Sequence, residues 1–214
     1  MARRQHDFYE TPPWMTRALL AHVPEISGTV LEPCVGDGSI AKVLCDESFR
    51  ALTSGRNGET HSFRLVANDI DPARGAEFQI DASNNELYRC VGVNYGQIDW
   101  VITNPPYQMP LCTNIVAAAV RHARVGVAMM LRISFEEPTA KVNPRGPFLE
   151  RNPLARKLVM PRHSFTGNSK SDSATTAWMI WSRVRLAGPP MLSLYRADEL
   201  YSAGIPRMAV AVDP

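Results

Sequence analysis

The sequence predicts a single α/β domain built on a mainly parallel β-sheet, and three observations support this. Apolar runs of strand length alternate with segments of helical periodicity along most of the chain. Two of these runs end in loops rich in glycine or proline, at residues 32–38 and 104–107. The 214 residues, of which 45% are hydrophobic, suffice for one full core and not for two substantial domains. We therefore expect one domain over residues 1–214.

The distribution of charge is more informative than the net charge. A net charge of +2 does not by itself indicate a nucleic-acid-binding protein. Residues 132–170, however, contain eight Lys or Arg against three Glu, which leaves the rest of the chain net negative. The last third of the chain is therefore expected to face a polyanion.

Cysteine usage and hydropathy predict a soluble, cytoplasmic protein. The cysteines at positions 34, 45, 90 and 112 lack the paired spacing of a zinc site, so we expect reduced thiols and no metal. No apolar stretch approaches the length of a transmembrane helix, and the first residues lack the apolar core of a signal peptide. No membrane partner is expected.

The N-terminal segment predicts a capped helix. Tyr-Glu-Thr-Pro at residues 9–12 precedes a helical pattern over residues 14–22. Thr11 is a suitable N-cap and Pro12 suits the first turn.

A short strand at residues 29–31 then runs into a glycine loop, from Glu32 to Gly38, and a helix over residues 41–44. This order is typical of nucleotide-cofactor sites, because glycines let a ligand approach the backbone. The spacing matches neither the dinucleotide fingerprint nor the lysine-containing phosphate loop. An acid beside the glycines suits a cationic or hydroxyl-bearing ligand instead. The alternative is a strand-to-helix turn with two structural glycines.

Two further acids follow predicted strands. A second strand at residues 64–68 ends in Asp69, which is placed to accept from ribose hydroxyls, whereas Asp71 resembles the cap of a following helix. The alternative is that both aspartates cap that helix. Residues 78–81 predict a third short strand, whose Asp81 can meet the amino group of an adenine ring or be a solvated loop acid.

The apolar run at residues 98–103 predicts a buried parallel strand that ends in Asn104-Pro105-Pro106-Tyr107. Neither proline carries an N–H, so the turn is stiff and rich in acceptors. The Asn104 side-chain oxygen and the Pro105 carbonyl can accept both hydrogens of one planar NH2 group, and Tyr107 offers a face for stacking. Two such acceptors push the nitrogen toward tetrahedral geometry and free its lone pair, with no need of a metal. The alternative is an ordinary proline turn.

The remaining chain completes the α/β pattern. The sequence predicts a core-facing helix over residues 111–122, a buried strand over 125–133, a short helix around Phe148, and strands over 156–160 and 176–182. The loop at residues 161–173 joins the last two strands and is small, polar and basic. It is interpreted either as a contact to a phosphate backbone or as a plain hairpin loop. An apolar run at residues 191–195 receives no function.

Four motifs in order resemble the class I S-adenosylmethionine-dependent methyltransferases, and specifically the N6-adenine DNA methyltransferases. They are Tyr-Glu-Thr-Pro at residues 9–12, Glu-Pro-Cys-Val-Gly-Asp-Gly at 32–38, Asp-Ile-Asp-Pro at 69–72 and Asn-Pro-Pro-Tyr at 104–107. The resemblance covers residues 7–182. It implies a Rossmann-like seven-stranded mixed sheet, mostly parallel, with a C-terminal antiparallel hairpin and helices on both faces.

The resemblance also implies S-adenosylmethionine as cofactor and methyl transfer to the N6 amine of an adenine extruded from DNA. The catalytic residues it implies are Asn104, Pro105, Pro106 and Tyr107. The cofactor-binding residues are Tyr9, Thr11, Pro12, Glu32, Pro33, Gly36, Gly38, Asp69, Ile70, Asp81 and Asn104. From the charge distribution and the resemblance together, the nucleic-acid-binding candidates are Arg145, Arg162, Phe165 and Lys170, with Phe165 packing on the extruded base.

Several alternatives stay open at this stage. Adenine in RNA presents the same amine, and the glutamine side chain of translation release factors presents a similar planar NH2. A non-enzymatic alternative is a module that binds the cofactor without catalysis, or a subunit of a larger assembly. The motif at residues 104–107 argues against it, because binding the cofactor does not require that motif. No room remains for a separate target-recognition domain, so a short insertion, low specificity or a partner, including a second copy, is expected.

Overall fold

A computed structural model describes residues 10–53, 63–137, 145–161 and 175–194. The strands of this part are β1 (Gly28–Glu32), β2 (Phe63–Ala67), β3 (Trp100–Thr103), β4 (Gly126–Arg132), β5 (Arg156–Val159), β6 (Thr176–Ser182) and β7 (Met191–Ser193). Its α-helices are α1 (Pro13–His22), α2 (Ser39–Thr53), α3 (Asn85–Tyr95), α4 (Leu111–His122) and α5 (Arg145–Arg151).

The seven strands form one sheet in the order β2-β1-β3-β4-β6-β5-β7. Strands β2, β1, β3 and β4 are parallel neighbours, whereas β6 is antiparallel to both β4 and β5. The mixed, mostly parallel sheet with a late antiparallel pair is therefore confirmed. The chain leaves β1 for β2 on one side and reaches β3 on the other. Such a switch in direction opens a crevice at the carboxyl ends of the strands, where open α/β sheets bind ligands.

The sheet is buried on both faces, which confirms the predicted layers. One core contains residues of α1 and α2 and the inward side chains Trp100 and Ile102 of β3. The other contains residues of α3 and α4 together with Val101 of the same strand. Because both of its faces are covered, β3 is a continuous apolar run in the sequence, without alternation. No helix within the described ranges is both long enough and apolar enough to cross a bilayer.

The prediction of a third strand at residues 78–81 is wrong. This segment makes an isolated bridge, between Asn68 and Phe78. The fully buried Asn68 takes over the rest of the pairing, since its Nδ2 donates to the carbonyls of Pro33 and Ile80 and its Oδ1 accepts from the Ile80 amide. Backbone hydrogen bonds between Ala67 or Asp69 and Phe78 pair the start of the segment, and the Asn68 side chain replaces such bonds at Ile80. The seventh strand is β7, within the apolar run at residues 191–195.

Candidate active site

Three polar side chains leave the same edge of the sheet, where β1, β2 and β3 end. Glu32 is the last residue of β1, Asp69 lies just beyond β2, and Asn104 directly follows β3. These strands are parallel neighbours, so their carboxyl ends meet beside the crevice. The sequence-predicted acids and the Asn-Pro-Pro-Tyr turn therefore lie at one edge.

The carboxylate of Asp69 ties the glycine loop to the end of β2. The Gly36 amide donates to its Oδ2 at 2.8 Å, and the Asp71 amide donates to its Oδ1 at 2.9 Å. A carboxylate has about four acceptor sites, so two occupied sites leave capacity for hydroxyl donors. Asp71 accepts from the Ala73 amide and caps a short 3-10 helix, as the sequence predicted. The two aspartates therefore have different roles.

The glycine loop requires its two glycines for their backbone conformation. Gly36 has φ 55° and Gly38 has φ 80°, both in the left-handed region that other residues rarely adopt. A Cβ at Gly38 would meet the Lys42 side chain at 3.9 Å, an ordinary contact distance, so space is not the constraint. The tip is further held by Asp37, whose Oδ1 accepts from the backbone and hydroxyl of Ser39. The conformation of the loop is therefore fixed by its two glycines and by the hydrogen bonds of Asp37.

Beneath the loop lies a buried acid. Glu32 is 1% exposed, and its Oε2 has no hydrogen-bond partner within the described part of the chain. Burial raises the pKa of Glu32 well above its usual range, and the nearby carboxylates of Asp37 and Asp69 raise it further. A hydrogen bond from the Ala41 backbone opposes these effects. An ammonium or hydroxyl group of a ligand would supply the missing donor, so the residue fits a cationic or hydroxyl-bearing cofactor.

The N-terminal segment meets the Asn-Pro-Pro-Tyr turn through a side-chain hydrogen bond. The Nδ2 of Asn104 donates to the Oγ1 of Thr11 at 3.0 Å. Thr11 is 2% exposed and lies one residue outside the N-cap of α1. The prediction that Thr11 caps this helix is wrong, because Pro12 occupies the N-cap and Pro13 begins the first turn. The hydroxyl instead orients the Asn104 amide, with its nitrogen toward Thr11.

A second contact joins the end of β3 to the glycine loop. The Thr103 hydroxyl donates to the carbonyl of Cys34 at 3.3 Å. Thr103 is fully buried, and the sequence indicated it only as the last residue of a strand. Burial raises the pKa of the Cys34 thiol, and the Asp69 and Glu32 carboxylates add to this effect, which keeps the thiol neutral. The two loops of the crevice are therefore linked directly.

Tyr107 makes a contact that the sequence did not predict. Its ring packs against the core on the α3 and α4 side of the sheet. The guanidinium carbon of Arg132, an exposed residue at the end of β4, lies 5.2 Å from the ring centroid. The sequence signal that could have located Arg132 is its position as the charged residue that ends an otherwise apolar strand.

The other predicted site residues differ in how far they are exposed to solvent. Pro33 and Pro105 are buried, Pro12 and Pro106 are half-buried, and Ile70 is 63% exposed beside Asp69. Asp81 is exposed, and its Oδ1 accepts from the backbone and hydroxyl of Ser83 at the approach to α3.

The predicted nucleic-acid-binding residues are only partly described. Arg145 is 7% exposed; it donates to the Glu137 carbonyl at 2.6 Å and lies over the Phe135 ring at 5.4 Å. Within the described part of the chain, this guanidinium is therefore held by a backbone carbonyl and an aromatic ring. Arg162, Phe165 and Lys170 lie outside the described residues, as does Tyr9.

Fold and site together define an α/β protein whose candidate site lies at the switch point of its sheet, and this fold is that of the class I S-adenosylmethionine-dependent methyltransferases. A Listeria monocytogenes protein assigned to that class aligns with a TM-score of 0.58 and 13% identity, over 95% of this chain and 71% of that one. A protein from Vibrio vulnificus, assigned as a modification subunit of a type I restriction enzyme, aligns with a TM-score of 0.56 and 12% identity. That match covers 91% of this chain and 48% of the subunit.

A Pyrococcus horikoshii protein assigned as an RNA methyltransferase also has this fold. It aligns with a TM-score of 0.51 and 15% identity, over 86% of this chain and 92% of that one. No family model matches the sequence, and neither does any curated protein. At such identities these likenesses establish the fold.

Proposed function

We propose that the protein transfers a methyl group from S-adenosylmethionine to the N6 amine of adenine in DNA, with the base extruded into a pocket at Asn104. The observation that carries this proposal is the position of Asn104. It follows β3 at the crevice, is oriented by Thr11, and lies on the same edge as Asp69 and the glycine loop. An amide acceptor beside a cofactor crevice suits transfer to a planar amine.

The crevice offers a matching set of groups for the cofactor. Asp69 accepts from the ribose hydroxyls, Glu32 supplies an acceptor for a cationic group, and the loop glycines let the ligand approach the backbone. Asp81 contacts the adenine ring, and the segment containing Thr11 closes over the methionine end. When bound, S-adenosylmethionine supplies an electrophilic methyl group on a sulfonium.

The chain's own residues prepare the amine to attack. The Asn104 side-chain oxygen and the Pro105 carbonyl accept the two N6 hydrogens, which draws the nitrogen lone pair out of conjugation with the ring. Tyr107 stacks on the extruded base and holds it at the crevice. The nitrogen gains the methyl group and loses one proton to solvent, so no protein nucleophile is required.

Three substrate classes present an amine of this kind, and one experiment separates them. The purified protein is incubated with isotopically labelled S-adenosylmethionine and, in separate reactions, with duplex DNA, single-stranded DNA, RNA and a protein extract. Digestion and mass analysis then identify the product. N6-methyladenine in DNA is the expected result. Label found in RNA adenine would move the assignment to the RNA alternative, and label found in glutamine would move it to the protein alternative.

A partner or a second copy of the chain is proposed to supply part of the target recognition. What supports this proposal is that the Vibrio neighbour is itself one subunit of a larger enzyme, a type I restriction enzyme. Comparing the sequence preference and the oligomeric state of the protein with and without DNA tests this point.

A further inference from the structure

We propose that Arg132 is a positioning residue for the extruded base: it covers Tyr107 while no base is bound, and moves to a phosphate of the nucleic acid when the base takes its place. This inference rests on the proposed function. It adds a residue, and an exchange of contacts, that the sequence motifs do not contain.

The sheet register brings the two side chains together. Thr103 at the end of β3 pairs with Met129 of β4. Arg132 ends β4 three residues later, and Tyr107 follows β3 by four, so both leave the same edge of neighbouring parallel strands. The guanidinium carbon lies 5.2 Å from the ring centroid, within the range of a cation–π contact.

Only part of the Tyr107 ring is open to a ligand. Its hydroxyl oxygen is buried, and the ring packs against the core formed by α3, α4 and the adjoining face of the sheet. The exposed Arg132 therefore covers ring surface that a base would use. A guanidinium and a base compete for the same π-face, so stacking of the base on this face requires Arg132 to move.

The order of interaction strengths favours the exchange. An exposed cation–π contact is weaker than the stacking of a base on an aromatic ring, so a base can displace Arg132. The displaced guanidinium keeps its charge and its planar donors, which suit bidentate contact with a phosphate. Without DNA, the cation–π contact keeps the ring in one orientation. Arg132 thereby links extrusion of the base to a contact with a phosphate of the nucleic acid.

The test compares Arg132→Met, Arg132→Lys and a control, Arg121→Met, in the full chain. Arg121 is also exposed and lies in the last turn of α4, at the opposite edge of the sheet. The probe is the duplex that the wild-type protein methylates, together with the same duplex carrying a mismatch opposite the target adenine. The measurements are kcat, KM, and binding to a fluorescent duplex over a range of salt concentrations.

For Arg132→Met we expect the KM for the paired duplex to rise about tenfold. The slope of the logarithm of the binding constant against the logarithm of the salt concentration should become shallower by about 0.9, the change for one phosphate that the protein no longer neutralises. The mismatched duplex, whose base is easier to extrude, should be affected less. Arg132→Lys should retain the salt dependence and recover only part of the KM. Cofactor affinity and thermal stability should stay at wild-type values.

Two results for Arg132→Met overturn the inference while leaving the proposed function in place. One is an unchanged salt dependence of binding in Arg132→Met. The other is an equal loss of kcat/KM on both duplexes, which indicates a residue that only supports the loop. An effect of the same size in Arg121→Met also overturns it, since that change lowers the charge of the protein away from the crevice. Absence of transfer to any nucleic acid by the wild-type protein would instead overturn the proposed function, and this inference with it.

Discussion

The side-chain nitrogen of Asn104 donates a hydrogen bond to the hydroxyl of Thr11, across 3.0 Å and 93 positions of sequence. The bond connects the segment before α1 with the turn after β3. It fixes which end of the Asn104 amide is the donor end, and hence where its oxygen lies. In the proposed function, that oxygen is one of the two acceptors for the target amine.

Replacement of Thr11 by Val should therefore lower turnover without unfolding the protein. Val keeps the shape of the buried side chain but cannot accept the hydrogen bond. We expect kcat to fall about tenfold, the equivalent of one neutral hydrogen bond that orients the reacting group. Thr11→Ser retains the hydroxyl and serves as the matched control. Equal kcat values for the Val and Ser variants would show that the bond does not orient Asn104 for catalysis.

Replacement of Asn104 by Ala should abolish methyl transfer while cofactor affinity changes little. The side chain acts mainly on the amine in the transition state, so its loss should fall on kcat rather than on binding. Asn94→Ala is the control, because Asn94 is exposed near the end of α3 and bonds locally, to the Cys90 carbonyl. Wild-type kcat in a folded Asn104→Ala protein would contradict the mechanism.

Replacement of Asp69 by Ala should weaken cofactor binding by about 1.5 to 3 kcal/mol, because a charged acceptor of hydroxyl groups is removed. The Gly36 amide also loses its acceptor, so the glycine loop should become less ordered. Asp71→Ala is the control, since it removes a helix cap in the same turn. Calorimetry on both variants makes the comparison. Affinity that falls equally in the two would assign the effect to the turn and not to Asp69.

The edge of the sheet at which the site lies was predictable, because parallel strands buried on both faces are apolar runs in the sequence and their ends mark one edge. This reasoning predicted that Glu32, Asp69 and Asn104 lie at one edge, and the structure has them there. The contact between Thr11 and Asn104 was not, since it depends on how α1 packs against the sheet. The pairing supplied by the Asn68 side chain was also missed, because a buried amide that replaces a strand leaves no periodicity.

The burial of a charged residue was equally hard to predict. Arg145 belongs to a basic stretch and resembles a phosphate contact in the sequence. In the structure its guanidinium donates to the Glu137 carbonyl and lies over the Phe135 ring. A charge count records the sign of a side chain and not what surrounds it. Local charge therefore located a basic region without telling which of its members reach solvent.

Replacement of Glu32 by Gln should change how stability depends on pH. The raised pKa means that the folded protein holds this proton to a higher pH than the unfolded chain does. The free energy of unfolding of the wild-type protein should therefore decline as the pH rises from the pKa of Glu32 in the unfolded chain through its higher pKa in the folded protein. Gln carries no charge, so the variant should lack this decline and be more stable on the alkaline side by about 1 to 3 kcal/mol.

Thermal unfolding of both proteins from about pH 5 to about pH 9 measures this difference. Cofactor affinity should rise with pH, whereas stability falls, because a cationic ligand favours the ionised form of Glu32 and its binding releases the proton. Wild-type affinity should thus increase with pH, whereas the affinity of Glu32→Gln should be lower and less dependent on pH. Parallel stability curves for the two proteins would show that Glu32 ionises normally.

The last prediction separates the buried arginine from the rest of the basic stretch. Arg145→Met removes the donor to the Glu137 carbonyl and the cation over Phe135, so it should lower the free energy of unfolding by about 1.5 to 3 kcal/mol. The slope of duplex binding against salt should not change. The double variant of Arg162 and Lys170 to Met should leave stability unchanged and flatten that slope by about 0.9 for each phosphate that is no longer neutralised. Denaturant unfolding and duplex binding over a salt series measure both quantities. A flatter slope without loss of stability in Arg145→Met would return that residue to the nucleic-acid surface that the sequence predicted.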